Sequence, residues 1–172
     1  TLFPYTTLFR SASMKLRDKI VQTDLEFIRE ILVSTGFFYD FEVATAVEIG
    51  EEVLAKGDAA GYHFLFVEDE DFKPYGFTSF GDIPCTKNRF DLYWIGVHEK
   101  MRGKGIGSVL LKESEKAVKS LDGKILYIET SARELYSPTR GFYLKNGYKI
   151  ETILEDFYDD GDGKVIYSKR LN

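Results

Sequence analysis

Between Asp91 and Leu111 an apolar, strand-like run, Leu92 Tyr93 Trp94 Ile95 Gly96 Val97, leads through His98 Glu99 Lys100 Met101 into Arg102 Gly103 Lys104 Gly105 Ile106 Gly107 Ser108. A helical pattern follows at once, with Val109, Leu110, Leu111, Ala117 and Val118 apolar against polar Lys112, Glu113, Glu115 and Lys116. Strand, basic glycine loop and helix in that order suit a pyrophosphate. A loop entering a helix presents unpaired backbone N–H groups, and the helix dipole adds partial positive charge. Glycines let that backbone approach an anion closely, while Arg102 and Lys104 supply full charges.

Two familiar phosphate motifs do not fit. A dinucleotide-binding G-x-G-x-x-G counted from Gly103 meets Ser108 at its sixth position, and no Gly-Lys pair is followed by Ser or Thr as a P-loop requires. What stands is Arg-x-x-Gly-x-Gly, from Arg102 to Gly107. A second segment lies downstream, Ser137 Pro138 Thr139 Arg140 Gly141 Phe142 Tyr143 Leu144 Lys145 Asn146 Gly147 Tyr148. Ser137 is read as an N-cap, Pro138 as the first helical residue, and Asn146-Gly147 as a left-handed stop. Together the two segments resemble the acetyl-CoA-binding signature and the later Phe-Tyr, three residues, Gly-aromatic motif of the GNAT (GCN5-related) N-acetyltransferases.

The elements that must position these motifs follow from periodicity and turn residues. A first strand is expected over 15–21, then a helix capped by Thr23 with Leu25, Ile28, Ile31 and Leu32 on one face. A second helix is expected over 41–56, ending at Gly57. Strands at 62–68 and 75–80 flank a polar loop, and another at 90–98 runs into the glycine loop. The motif helix extends to about residue 120, a strand covers 124–130, the Pro138 helix follows, and strands at 148–154 and 164–171 close across an acidic turn. The order β-α-α-β-β-β-α-β-α-β-β is that of the GNAT fold. The fold class implied is α/β (α+β), a central mixed, mostly antiparallel sheet of about seven strands flanked by about four helices. One domain is expected over 14–172.

The resemblance also implies the site. The strand at 90–98 should splay from that at 124–130 and admit pantetheine, with Gly96 marking a bulge or a close backbone approach. Backbone groups of Ile95, Gly96 and Val97 should then meet the pantetheine amides and polarise the thioester carbonyl. Arg102, Gly103, Lys104, Gly105, Ile106, Gly107 and Ser108 should hold the pyrophosphate of acetyl-CoA, with coenzyme A as product. Tyr136 stands seven residues before Tyr143, where the family pattern has an asparagine contacting the cofactor. Tyr143 sits where many members place the general acid, and Glu129, a carboxylate in an otherwise apolar strand, is the expected base. Phe142 reads as a core residue, His63 as a hydrogen-bonded strand residue, Cys85 as a small semi-buried side chain and His98 as a solvated strand end. Asp156, Asp159, Asp160 and Asp162 of the last hairpin are candidates to attract an acceptor ammonium, with Phe157 and Tyr158 beside them; the same aspartates also read as an ordinary polar turn.

Composition narrows the partners. In 172 residues, 23 Lys+Arg against 28 Asp+Glu give a net charge of −5, which argues against nucleic acid or an anionic membrane surface. No apolar run approaches the ~20 residues of a membrane span. The single Cys85 excludes an internal disulfide and Cys-based zinc fingers, and two histidines without paired ligands make a catalytic metal unexpected. The reducing cytoplasm is the expected compartment. Residues 1–13, Thr1 Leu2 Phe3 Pro4 Tyr5 Thr6 Thr7 Leu8 Phe9 Arg10 Ser11 and two more, resemble a translated sequencing adapter; a secretory signal would place its charge before the apolar stretch, whereas Arg10 follows it. The expected activity is direct acetyl transfer, in a ternary complex, to the primary amine of a small molecule or a protein N-terminus, with a homodimer left open. A non-catalytic acyl-CoA sensor and a fold binding another nucleotide are the alternatives.

Overall fold

The computed structural model describes residues 14–172, so the proposed leader at 1–13 lies outside the described residues. The strands are β1 Lys15–Arg17, β2 Tyr62–Glu68, β3 Pro74–Asp82, β4 Arg89–Val97, β5 Ile125–Ser131, β6 Lys149–Asp159 and β7 Asp162–Arg170. The helices are α1 Asp24–Thr35, α2 Asp40–Lys56, α3 Ile106–Ser120 and α4 Ser137–Lys145. The strands form one seven-stranded sheet in the order β1-β2-β3-β4-β5-β7-β6. Every neighbouring pair is antiparallel except β4 and β5.

Two apolar layers cover the sheet. On one face Ile28, Ile31 and Leu32 of α1 and Val43, Ala46 and Val47 of α2 pack on Phe64, Phe66 and Phe77. On the other, Leu110, Leu111, Ala117 and Val118 of α3 and Tyr143 of α4 pack on Leu65, Phe80, Leu92, Leu126, Val165 and Tyr167. Alternation along the strands sends successive side chains to opposite layers, which is why both faces can be filled.

Several boundaries differ from those read in the sequence, each for a physical reason. The first strand stops at Arg17, not at residue 21, because the Arg17 guanidinium turns to donate to both Asp24 oxygens at 2.8 Å and to Glu68 at 2.7 Å. Thr23 makes no side-chain cap; Asp24 instead accepts from the Val21 N–H at 2.7 Å. Ser137 makes no cap either. It is already helical, because a 3-10 turn over Glu134–Tyr136 runs straight into α4. Gly147 does take the left-handed φ of +87° expected of the helix stop. The last two strands reach further into the acidic turn than expected, since pairing resumes at Asp159↔Asp162 after an irregularity that begins at Leu154.

Two features of β4 create the gap between strands. Pairing with β5 runs from Arg89↔Ile125 to Leu92↔Ile128 and ends there, although β4 stays bonded to β3 as far as Val97↔Gly76 and β5 to β7 as far as Ser131↔Lys164. The bulge lies at Tyr93 and not at Gly96: Ser79 pairs with Trp94 while Phe80 pairs with Leu92. Gly96 is the close approach, since a Cβ there would lie 3.1 Å from both Ile31 Cγ2 and Leu32 Cδ2.

Candidate functional site

The glycine loop follows the free end of β4, and a Cβ on Gly107 would lie 3.8 Å from Val97 Cγ2 and 3.6 Å from Phe142 Cζ. Gly103 at φ +74° and Gly105 at φ +81° adopt backbone that side chains disfavour, and Gly105 is the residue at which α3 begins. No side chain caps α3. Among the described residues, the N–H groups of residues 103–108 donate to no protein acceptor, the first capture being Val109 N–H to Gly105 O at 3.1 Å. A run of free donors at a helix start, with the dipole behind it, is an anion site. The Arg102 guanidinium lies 4.9 Å over the Phe37 ring. Lys104 is exposed. His98 holds the loop's entry, its Nδ1 accepting from Lys100 N–H at 3.2 Å and its Nε2 lying 3.5 Å from Glu30.

Ile95, Gly96 and Val97 sit on the part of β4 that β5 has left, bonded to Thr78, Phe77 and Gly76 of β3 on their other side. Their second backbone edge therefore faces the gap. Tyr143 is 2% exposed, its ring 5.2 Å from that of Tyr167 and 5.8 Å from that of Tyr148. Burial pushes its phenol well above the ordinary range, so the proton stays on. Its hydroxyl makes no protein hydrogen bond among the described residues, whereas that of Tyr136 donates to Phe37 O at 3.3 Å. Tyr136 thus turns toward the link between α1 and α2, and the Phe37 ring, 5.6 Å away, separates it from Arg102.

Glu129 is the first residue of β5 beyond its pairing with β4, and Lys164 Nζ of β7 lies 2.6 Å from its Oε2. Asp91, which sequence reasoning passed over, belongs to the same group. Its half-buried carboxyl is pushed up to about 6, chiefly by desolvation, with the Glu129 charge adding and Lys164 opposing. The signal for Asp91 was the one used for Glu129, a lone carboxylate between apolar strand residues, Phe90 and Leu92. Tyr93 and Tyr158 close the group from β4 and β6, each phenol raised to about 12 by burial first and then by neighbouring acids.

Three of the four hairpin aspartates are engaged by the turn or its neighbours. Asp162 is buried, accepts from Ser131 Oγ at 2.5 Å and lies 3.3 Å from Arg133 Nε. Asp156 accepts from Gly161 N–H at 2.7 Å and Asp159 from Asp160 N–H at 2.8 Å. His63 stacks on Phe80 at 5.4 Å and is held below its usual range by burial. Cys85 is exposed in the turn between β3 and β4. Among the described residues no group of three or more His, Cys, Asp or Glu is placed to hold a metal, and no helix is long and apolar enough to cross a membrane.

Comparison with known proteins bears on this arrangement. Residues 60–150 match the family described as acetyltransferase (GNAT) domain. The chain is 31% identical over 116 residues to an N-alpha-acetyltransferase of Sulfurisphaera tokodaii, an alignment spanning 67% of this chain and 65% of that relative. It superposes with a TM-score of 0.90 and 36% identity on a protein of Desulfovibrio desulfuricans assigned to the GNAT acetyltransferases, covering 93% of this chain and 100% of the other. An aminoglycoside 6'-N-acetyltransferase solved with coenzyme A shares the fold, at TM-score 0.70 and 19% identity over 92% of this chain and 97% of its own.

Proposed function

The chain belongs to the GNAT acetyltransferase family, and from that premise we propose that it transfers the acetyl group of acetyl-CoA directly to a primary amine within a ternary complex. The observation that carries this reading is the succession of free backbone donors over residues 103–108 directly after the stretch of β4 that has left β5. The residues present fit the cofactor. Residues 102–108 would take its pyrophosphate, and the open backbone edge of Ile95, Gly96 and Val97 would take its pantetheine amides. Acetyl-CoA supplies an activated acyl carbon when bound.

The chain's own residues supply orientation and proton handling. Backbone donors of β4 beside the gap polarise the acyl oxygen without reorganising, since both strands are fixed by their outer neighbours. Tyr143 stands at the position where many family members carry the general acid, and its retained proton and its hydroxyl, unbonded among the described residues, support it as the donor for the departing sulfur. Asp91, its carboxyl pushed up to about 6 chiefly by desolvation, receives the acceptor's proton, while Glu129, 2.6 Å from the Lys164 ammonium, supplies the counter-charge to a cation. An α-amine is the favoured acceptor, by likeness to the N-alpha-acetyltransferase of Sulfurisphaera tokodaii; a small-molecule amine is the alternative. Residues 14–172 act as the acetyltransferase domain, and the exposed, unpaired thiol of Cys85 suits the reducing cytoplasm.

Calorimetric titration of acetyl-CoA into the full chain tests the premise, with Arg102→Ala/Lys104→Ala alongside and ATP as competitor. Expected are saturable binding, weakening of about tenfold or more in the double variant, and no displacement by ATP. A well-folded protein that fails to bind acetyl-CoA overturns the reading. Mass spectrometry of peptides with free N-termini, incubated with acetyl-CoA, then follows transfer.

A further inference from the structure

A lysine of this chain already sits where a cationic guest would fit. Lys164 Nζ lies 2.6 Å from Glu129 Oε2, 3.7 Å from the centroid of the Phe157 ring and 5.5 Å from that of Tyr158. Its side chain is only 12% exposed, against 44% for Glu129, so the ammonium is the covered partner and the carboxylate faces the opening. An aromatic face above a cation and a carboxylate beside it is the recognition chemistry of an ammonium.

The backbone is bent to build this arrangement. Lys164 lies opposite Leu154, and from there the ladder between β6 and β7 breaks until Asp159↔Asp162. Residues 155–158 fill the break, with Asp156 held at φ +52°, a conformation uncommon outside glycine. That departure carries Phe157 and Tyr158, which meet edge to face with centroids 5.0 Å apart, onto Lys164. Strained backbone of this kind persists where surrounding structure demands it, often at ligand clamps. The position is equally specific, because Glu129 is the first residue of β5 past its last pairing with β4, so the group opens into the gap.

We infer that Glu129, Phe157 and Tyr158 form a cage for a primary ammonium, filled by Lys164 in the free protein and taken by the acceptor amine when Lys164 is displaced. Its use by an acceptor rests on the acetyltransferase reading above; the cage itself does not. Exchange of one ammonium for another keeps Glu129 partnered, so entry of the guest leaves no bare carboxylate beside Asp91. Lys164 then acts as an internal competitor that admits amines able to match its contacts and excludes neutral or anionic ligands.

The test uses butylammonium chloride, with n-butanol as neutral control, titrated into the full chain and followed by NMR of the aromatic side chains. The Lys164→Met variant is expected to bind butylammonium at least about tenfold more tightly than the unsubstituted protein, with n-butanol unaffected. Adding Glu129→Gln should reverse the gain. Equal or weaker binding by Lys164→Met, or a gain that survives Glu129→Gln, overturns the cage. Acetylation by N-hydroxysuccinimidyl acetate, read by mass spectrometry on the unsubstituted protein, keeps the test open if Lys164→Met does not fold. Lys164 should react slowly alone and at least threefold faster with saturating butylammonium, and an unchanged rate overturns displacement. Neither measurement uses acetyl-CoA, so failure of the cage and failure to bind the cofactor remain separate results.

Discussion

On one side of the gap between β4 and β5, charge is met by a contiguous loop, residues 102–108, whose working groups are backbone N–H. On the other side it is met by Asp91, Glu129, Lys164, Phe157 and Tyr158, side chains from four different strands. The loop needs only its own conformation, fixed by Gly103 and Gly105 at positive φ. The side-chain group needs the register of β5, β6 and β7 together, since Glu129 faces Ile166 and Lys164 faces both Ser131 and Leu154. A donor built from backbone survives most side-chain changes and fails when the backbone is disturbed; a site built from side chains behaves in the opposite way.

Substitutions on the two sides should therefore separate into cofactor effects and turnover or acceptor effects. The largest change is expected for Tyr143→Phe: with Tyr143 as the proposed proton donor, kcat should fall about 10²- to 10³-fold with acetyl-CoA affinity unchanged. Isothermal titration beside steady-state kinetics checks this, and weakened cofactor binding would assign Tyr143 to packing. Asp91→Asn should lower kcat/KM about 10²-fold. For the unsubstituted protein the base works only when deprotonated, so kcat/KM should fall as pH drops through about 6 and level off above it. The Asn variant should lose that limb, and a profile that keeps it would move the titration to another group.

Gly105→Val forces a β-branched residue into φ +81° at the start of α3, a cost of roughly 1–3 kcal/mol. Acetyl-CoA affinity should drop about tenfold to a hundredfold with little change in the acceptor KM. An equal loss in both would mean the two sides are mechanically linked, for which the Arg102–Phe37–Tyr136 stack is the available route. The smallest effect is expected for Phe157→Ala, a change of a few fold in acceptor KM with cofactor binding intact, since one exposed-side cation–π contact is worth about 0.5–1 kcal/mol.

Much of the framework was legible because its causes are local. The strand Tyr62–Glu68 has the bounds its apolar run suggests, α2 begins one residue before the expected position, and Gly57 and Gly147 stop their helices with positive φ. Expectation failed where a distant charge intervened. Arg17, drawn to Asp24 and Glu68, cuts the first strand short, and Asp162, exposed in an ordinary polar turn by its sequence, is buried against Ser131 and Arg133. Asp91 was visible as a carboxylate in an apolar strand, but nothing near it in sequence distinguished it from a surface residue.

By itself the sequence determined the order of elements, the conformation of the glycine loop and the burial of Tyr143's neighbourhood, because propensity, positive φ and apolar periodicity act over a few residues. Only the tertiary structure decided where β4 and β5 part, which carboxyl Lys164 would engage and which would be left to titrate at about 6. Those outcomes depend on distance and desolvation between strands remote in the chain, and a charge's behaviour is set by the groups and solvent around it in space.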